Sequence, residues 1–428
     1  NHDLINQPPL ADFSATPTSG QVPLTVQFTD QTIDIDGTVV SWSWDFGDGN
    51  TSTDQSPAHT YTTHDVYTVS LTTTDNLGMT GTETKTDYIT ANYSGPVWYV
   101  SNDGNDSGQG SIDDPLATPG MAVYKASAGD SILIHEGNYD NANVNKILFL
   151  ASVHYNELDS TIISNTVLQG LDFYPETSSG SIVNGIALKN YNGGTGALQV
   201  GNNNGGSNII LNNCHIMDNT NGAYIYNGSD VTFNDCIISY NYEGIHNHYT
   251  DDSNNPISTL TITNSIIKNN TSKGIYAFDA NLIINNSTIS FNSQYNDEGN
   301  QYEHAAGIHW RSDYQSSGDL ILNNVNILNN YGTGLKTYWN SGTCLLTNVV
   351  INGNKYRGID GLKNATLDSC EISYNEFGGL KELTNVDIQN SVISHNTVLT
   401  RDGGSAGAGI NNIENSTLTN VIIEYNKT

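Results

Sequence analysis

Nine copies of one short pattern constrain this chain more than anything else in it. An asparagine recurs at Asn219, Asn241, Asn270, Asn292, Asn330, Asn354, Asn375, Asn396 and Asn426, and three residues before each stands an isoleucine, from Ile216 to Ile423. Eight residues before each lies a second apolar position: Leu211, Phe233, Ile262, Ile284, Leu322, Leu346, Leu367, Ile388 and Leu418. Six before is another asparagine in most copies, and a glycine follows later, as at Gly222, Gly244, Gly274, Gly307, Gly334, Gly358 and Gly409. Where nothing is inserted, the spacing is 21–24 residues.

That spacing leaves room for three short strands and three turns per unit, with period-two alternation pointing one set of side chains inward. Stacking such coils about 4.8 Å apart sets each isoleucine over the next in a continuous dry column. Asparagine suits the corners because it tolerates left-handed backbone, and its amide can bond to the neighbouring coil. The Leu-x-x-Leu-x-Leu signature of a leucine-rich horseshoe is absent, as are the strict hexapeptides of a left-handed helix. The pattern resembles right-handed parallel β-helix proteins of the pectate-lyase-like kind, over residues 98–428. The order strand (Trp98–Ser101), polar loop, short amphipathic helix near 118–127, strand (Ser131–His135) is similar to the N-terminal cap of that family, which implies a helix covering the first coil.

The first ninety residues differ. Alternating Val22, Leu24, Val26 and Phe28, a DIDGT turn and further short strands predict a small β-sandwich, so the fold class is all-β. SWSWDFGDG, then HTY and YTVSLTTTDNLG, resemble a polycystic-kidney-disease (PKD) domain over 11–91. The resemblance implies an Ig-like sandwich with Trp44 and Phe46 in its core, serving as a spacer, adhesive or accessory module. Trp42 and Trp44 are read as core residues, with sugar stacking as the alternative. Asp34, Asp36 and Asp48 are read as β-turn carboxylates, with calcium as the alternative. Residues 1–10 form an extended arm and 92–97 (NYSGPV) a linker.

Composition narrows the function classes. The chain carries 44 Asp+Glu against 14 Lys+Arg, a net charge of −30, which repels nucleic acid and anionic membranes. No apolar run of about 18 residues is present, so no membrane insertion is expected. Four cysteines make no disulfide framework; Cys214, Cys236, Cys344 and Cys370 fall in inward columns and are expected to be buried thiols. Composition and domain type together place the protein outside the cell, secreted or surface-associated.

The strand after each repeat glycine carries the candidate site. Two residues past the glycine, the outward column reads Tyr224, His246, Tyr276, His309, Lys336, Asp360, Lys381, Asn411; four past, it reads Tyr226, His248, Phe278, Arg311, Tyr338. With Trp310 between them, these form an exposed aromatic and cationic face suited to sugar rings and acidic groups. The longest insertions, 247–258, 293–305, 311–318 and 397–407, flank it. A binding role for a polysaccharide or cell-surface glycan is the leading expectation. The alternative is a polysaccharide lyase or glycoside hydrolase, with His246, His309, Arg311 and Lys336 as catalytic candidates and Asp251, Asp252 or Asp313 holding calcium. Asp103, Asn105, Ser107, Gly108 and Asp114 fall at EF-hand-like offsets and form a further calcium candidate. The sequence runs to VIIEYNKT partway through a coil, so the open end and the N-terminal arm are expected to mediate head-to-tail association into a filament.

Overall fold

A computed structural model describes residues 6–93, 95–156, 163–175, 177–226, 228–248, 257–293, 306–311, 318–338, 342–398 and 408–427, with His248 in backbone only. They form two compact units, 1–95 with 107–114, and 96–106 with 115–428.

In the first unit a three-stranded antiparallel sheet (Phe13–Thr16, Leu24–Asp30, Ala58–Tyr61) faces a five-stranded one built on the long strands Asp65–Asp75 and Thr80–Asn92. Leu24, Val26 and Phe28 alternate into the core, where Phe13, Trp44, Phe46 and Tyr61 meet, with Phe13 edge-on to Trp44 at 5.1 Å. Trp42 is half-buried, its Nε1 donating to Asp30 at 2.8 Å. Residues 6–10 are held against the sandwich, through Asn6 to Asp75, Gln7 to Asp36 and Leu10 to Ile33. Of the expected extended arm, residues 6–10 are thus bound, and residues 1–5 lie outside the described residues.

The second unit is the expected solenoid, with every sheet pairing parallel. The helix is Pro119–Lys125, capped by Thr118, whose Oγ1 accepts from Met121 N at 3.2 Å, while Asp106 takes the Ala117 and Thr118 amides. It packs its buried Pro119, Ala122 and Val123 over the strands Val97–Val100, Ser131–Ile134 and Ala142–Val144. Each coil then contributes a strand to each of three faces. On one, Val183, Leu211, Phe233, Ile262, Ile284, Leu322, Leu346, Leu367, Ile388 and Leu418 pair in strict succession. On the second, the isoleucine column runs unbroken from Ile216 to Ile423. Ile393, with a rung on each side, is 0% exposed, whereas Ile423 on the last rung is 48% exposed. Burial thus comes from the neighbouring coils.

The structure divides the work of the asparagines. The column six residues before the ladder does the turning: Asn213, Asn264, Asn286, Asn324, Asn348, Asn390 and Asn420, with Asp235 and Ser369 in the other two coils, all have φ between +48° and +56°. The ladder asparagines do the bonding inside. Asn270 accepts from Asn241 N and Nδ2 at 3.0 and 3.1 Å, and its own N and Nδ2 donate to Asn292 Oδ1 at 3.1 and 2.9 Å. Its Nδ2 also donates to Ile238 O at 3.3 Å. All four hydrogen-bonding sites of the buried amide are filled. The repeat glycine follows from this, because a Cβ on Gly274 would lie 2.8 Å from Asn292 Nδ2 and 2.6 Å from Gly307 O.

A second turn sits at the residue before each ladder asparagine, where φ runs from +52° to +69°. Asp218, Asn269, Asn329 and Gly353 suit that conformation, but Tyr240, Phe291, Tyr374, His395 and Tyr425 do not. The last three recover part of the cost by stacking, Tyr374 on His395 at 4.8 Å and His395 on Tyr425 at 5.0 Å.

Two outcomes follow. Asn292→Ala strips acceptors from Asn270 inside the stack and should cost about 3 kcal/mol, against about 1 for the exposed corner change Asn348→Ala; urea midpoints of the two variants check the order. Tyr240, 57% exposed between Asp218 and Asn269 on its column, should gain about 1 kcal/mol on Tyr240→Asn, read as a higher melting temperature.

Candidate functional site

The third face carries the strands after the repeat glycines, and their register is the one the spacing implies. Tyr224 pairs with His246, His246 with Tyr276, Tyr276 with His309, His309 with Lys336, Lys336 with Asp360, Asp360 with Lys381 and Lys381 with Asn411. The column also continues upstream through Gln199 to Asp172, which the sequence reading missed because those coils lack the ladder asparagine that fixes the frame.

The face is less open than a reading of outward positions implies. Trp310 alternates inward, is 0% exposed, and donates from Nε1 to Ala280 O at 2.9 Å. It is a core residue and cannot serve as a sugar platform. His309 and Lys336 point outward by register yet are 4% and 2% exposed, so neither offers its side chain to a ligand in this conformation. Tyr224, Tyr226, His246, Tyr276, Phe278 and Arg311 are half-buried and Tyr338 is exposed. The side chain of His248 lies outside the described residues, as do Asp251, Asp252 and Asp313.

Ring faces on this strip are largely occupied by one another. Tyr224 stacks on His246 at 4.7 Å and 10°, and Tyr276 meets His246 at 5.0 Å and His309 at 5.2 Å. Burial, with Tyr226 and Glu243 nearby, pushes the Tyr224 hydroxyl up to about 12, so it stays protonated and donates. Cations fill remaining faces: Lys273 over Tyr276 at 4.9 Å, Arg311 over Phe278 at 4.4 Å, Lys336 over Tyr338 at 4.9 Å. The strip therefore presents ring edges, hydroxyls and positive charge rather than flat aromatic platforms.

Glu243 organises one end of it. This residue, just before the repeat glycine, is buried and takes His246 Nδ1 at 2.5 Å and Lys273 Nζ at 2.9 Å. Burial by itself would raise its carboxyl. The His246 hydrogen bond and the Lys273 charge outweigh that and hold it at about 2, so it is ionised at neutral pH. An ionised acceptor requires the proton on His246 Nδ1, which fixes the tautomer and the ring plane. Arg357 and Asp360 repeat the i, i+3 geometry, Nη1 to Oδ2 at 2.8 Å. The sequence held a signal for this, opposite charges before the glycine in successive repeats, that the outward-column reading passed over. At the far end, burial raises the Asp172 carboxyl.

Around the calcium candidates the structure shows these hydrogen bonds. Asp114 accepts from Gln109 N at 2.6 Å, the Asp103 amide donates to Ser101 Oγ at 3.3 Å, and the Asn105 amide donates to Pro115 O at 2.9 Å. Ser107 and Asp114 belong to the first unit, Asp103 and Asn105 to the second. In the sandwich, Asp34 holds the Gly37 amide and Asp48 pairs with His59 at 2.8 Å. Among the described residues, no three His, Cys, Asp or Glu side chains are grouped to hold a metal ion. The four cysteines are buried free thiols, and no described helix is long and apolar enough to cross a membrane.

Residues 6–91 match the sequence model of the PKD domain, and 147–313 that of the right-handed β-helix region. A microbial collagenase of Vibrio alginolyticus is 41% identical over 89 residues, which is 21% of this chain and 11% of that protein. The PKD1 domain of Vibrio anguillarum Epp is 39% identical, covering 20% of this chain and 99% of its own, with a TM-score of 0.19. Pectate lyase Pel9A is 14% identical over 76% of this chain and 78% of its own, with a TM-score of 0.43.

Glu243→Gln tests the charged cluster. A carboxyl lowered from 4.5 to about 2 contributes stability that is whole above its unfolded value and lost as pH falls through the folded one. The variant should be less stable by about 3 kcal/mol at pH 7, with the gap closing between about pH 4 and 2; melting temperatures across pH check it.

Proposed function

We propose that this chain, a PKD domain followed by a right-handed β-helix, is an extracellular bacterial protein that holds an acidic polysaccharide along the third face without cleaving it. One observation carries the reading. On a chain of net charge −30, Lys273 and Arg311 are set over aromatic rings on one strip, amid tyrosine hydroxyls and imidazole edges. A carboxylate or sulfate on a glycan suits such a strip, because Arg311 is held in place over the Phe278 ring, while Lys273 is shared with Glu243. Elsewhere the negative field disfavours the same polymer, which confines it to this face. The extracellular assignment is supported by the likeness of the PKD domain to part of a microbial collagenase, collagen being an extracellular substrate.

A second reading has its own observation. Glu243 orients His246 as a carboxylate orients a general base, which would make the strip a catalytic groove.

Retention on immobilised polygalacturonate separates the two. Binding should be saturable and salt-sensitive, weaken about tenfold in Arg311→Ala, and leave the polymer's viscosity unchanged. Absent retention, or retention indifferent to Arg311→Ala, overturns the binding reading. Falling viscosity that stops in Glu243→Gln establishes the enzyme.

A further inference from the structure

Downstream of the strip the coils change shape. Ile359–Asp368 and Leu380–Gln389 are long strands, and one bend recurs at Gly361, Glu382 and Asn412, with φ of +78°, +56° and +60°. Leu362 and Leu383 pair inward, so the residues on either side of that column stand out as two low walls. Between them lies an open groove of 380 Å³, lined by Tyr338, Lys363, Glu382, Thr384, Asn412 and Glu414. At the first of the three bends only glycine fits, since a Cβ on Gly361 would lie 2.5 Å from Thr337 O.

Glu382 is the informative residue. Its neighbours at the same bend are glycine and asparagine, which adopt left-handed backbone readily; glutamate does not. Its side chain is exposed, reaching Lys381 at 2.7 Å, so packing does not repay the strain. A strained, exposed carboxylate at the mouth of a cavity points to a ligand.

We infer that this groove is a second sugar site, taking a neutral pyranose unit. The volume falls within the range of about 300–1,000 Å³ typical of ligand sites. The lining carries Lys363 against Glu382 and Glu414, and Lys381, outside the groove, pairs with Glu382 at 2.7 Å, so no large excess of either sign meets a ligand. Carboxylates accept from hydroxyls, Lys363 and Asn412 donate to them, and Tyr338, with Lys336 over its ring, adds an aromatic edge, which suits a ring carrying hydroxyls. The site extends the glycan reading to a different sugar unit and rests on it only for the ligand class.

The intact chain is titrated with the methyl α-pyranosides of glucose, galactose, mannose and rhamnose, followed by saturation-transfer NMR. At least one should bind, and Glu382→Asn and Glu414→Gln should each weaken it about tenfold, the loss of a charge-assisted bond. Glu382→Asn keeps a residue suited to the bend, so its melting temperature should hold or rise. Binding by none of the four, or binding indifferent to both variants, overturns the site. Polygalacturonate retention, run in parallel, reports on the upstream strip: Glu382→Asn and Glu414→Gln should leave it intact. Either reading can therefore fail while the other stands.

Discussion

The buried asparagine ladder is the constraint on which the solenoid depends. A side-chain amide placed in an apolar core must fill all its hydrogen bonds, and from Asn241 to Asn396 each does so by spanning three coils, the isoleucine carbonyl behind and the asparagine ahead. That works at one rung spacing and one register only. A slip of one residue would bury unpaired amides and turn the isoleucines out to solvent. The amides are also aligned head to tail, so each bond polarises the next. The isoleucine column supplies the burial, and the amides select the arrangement.

Everything on the third face inherits that precision. Because successive coils hold equivalent residues one strand spacing apart, ring meets ring and cation meets ring without any loop having to position them. Glu243 and His246 meet for the same reason, being three residues apart across the repeat glycine, and Arg357 and Asp360 repeat the arrangement in a later coil. The glycine is fixed from behind by the ladder amide of the next coil, so the core and the candidate site are joined at that residue.

The face divides by charge. Upstream, lysine and arginine over aromatic rings make a positive strip on a strongly acidic protein. Downstream, the bend at Gly361, Glu382 and Asn412 lines a groove with charges of both signs. Backbone strain marks both kinds of corner but resolves differently. Tyr374, His395 and Tyr425 repay it by stacking on one another, whereas Glu382 has no such compensation.

The sequence alone determined the coil, its three faces, its inward columns and the order of residues along the outward ones, because those are set by period and alternation, which are local. Trp44 and Phe46 were expected in the sandwich core from the resemblance to PKD domains, and they lie there. Only the tertiary structure decided what is accessible. Trp310 is inward by the alternation itself and was misassigned to the face, whereas His309 and Lys336 are outward yet covered, because exposure depends on everything that packs above a residue. Asp172 and Gln199 escaped notice where the repeat loses its asparagine. The downstream groove could not be read at all, since it is a space between two columns, and a space has no residue of its own.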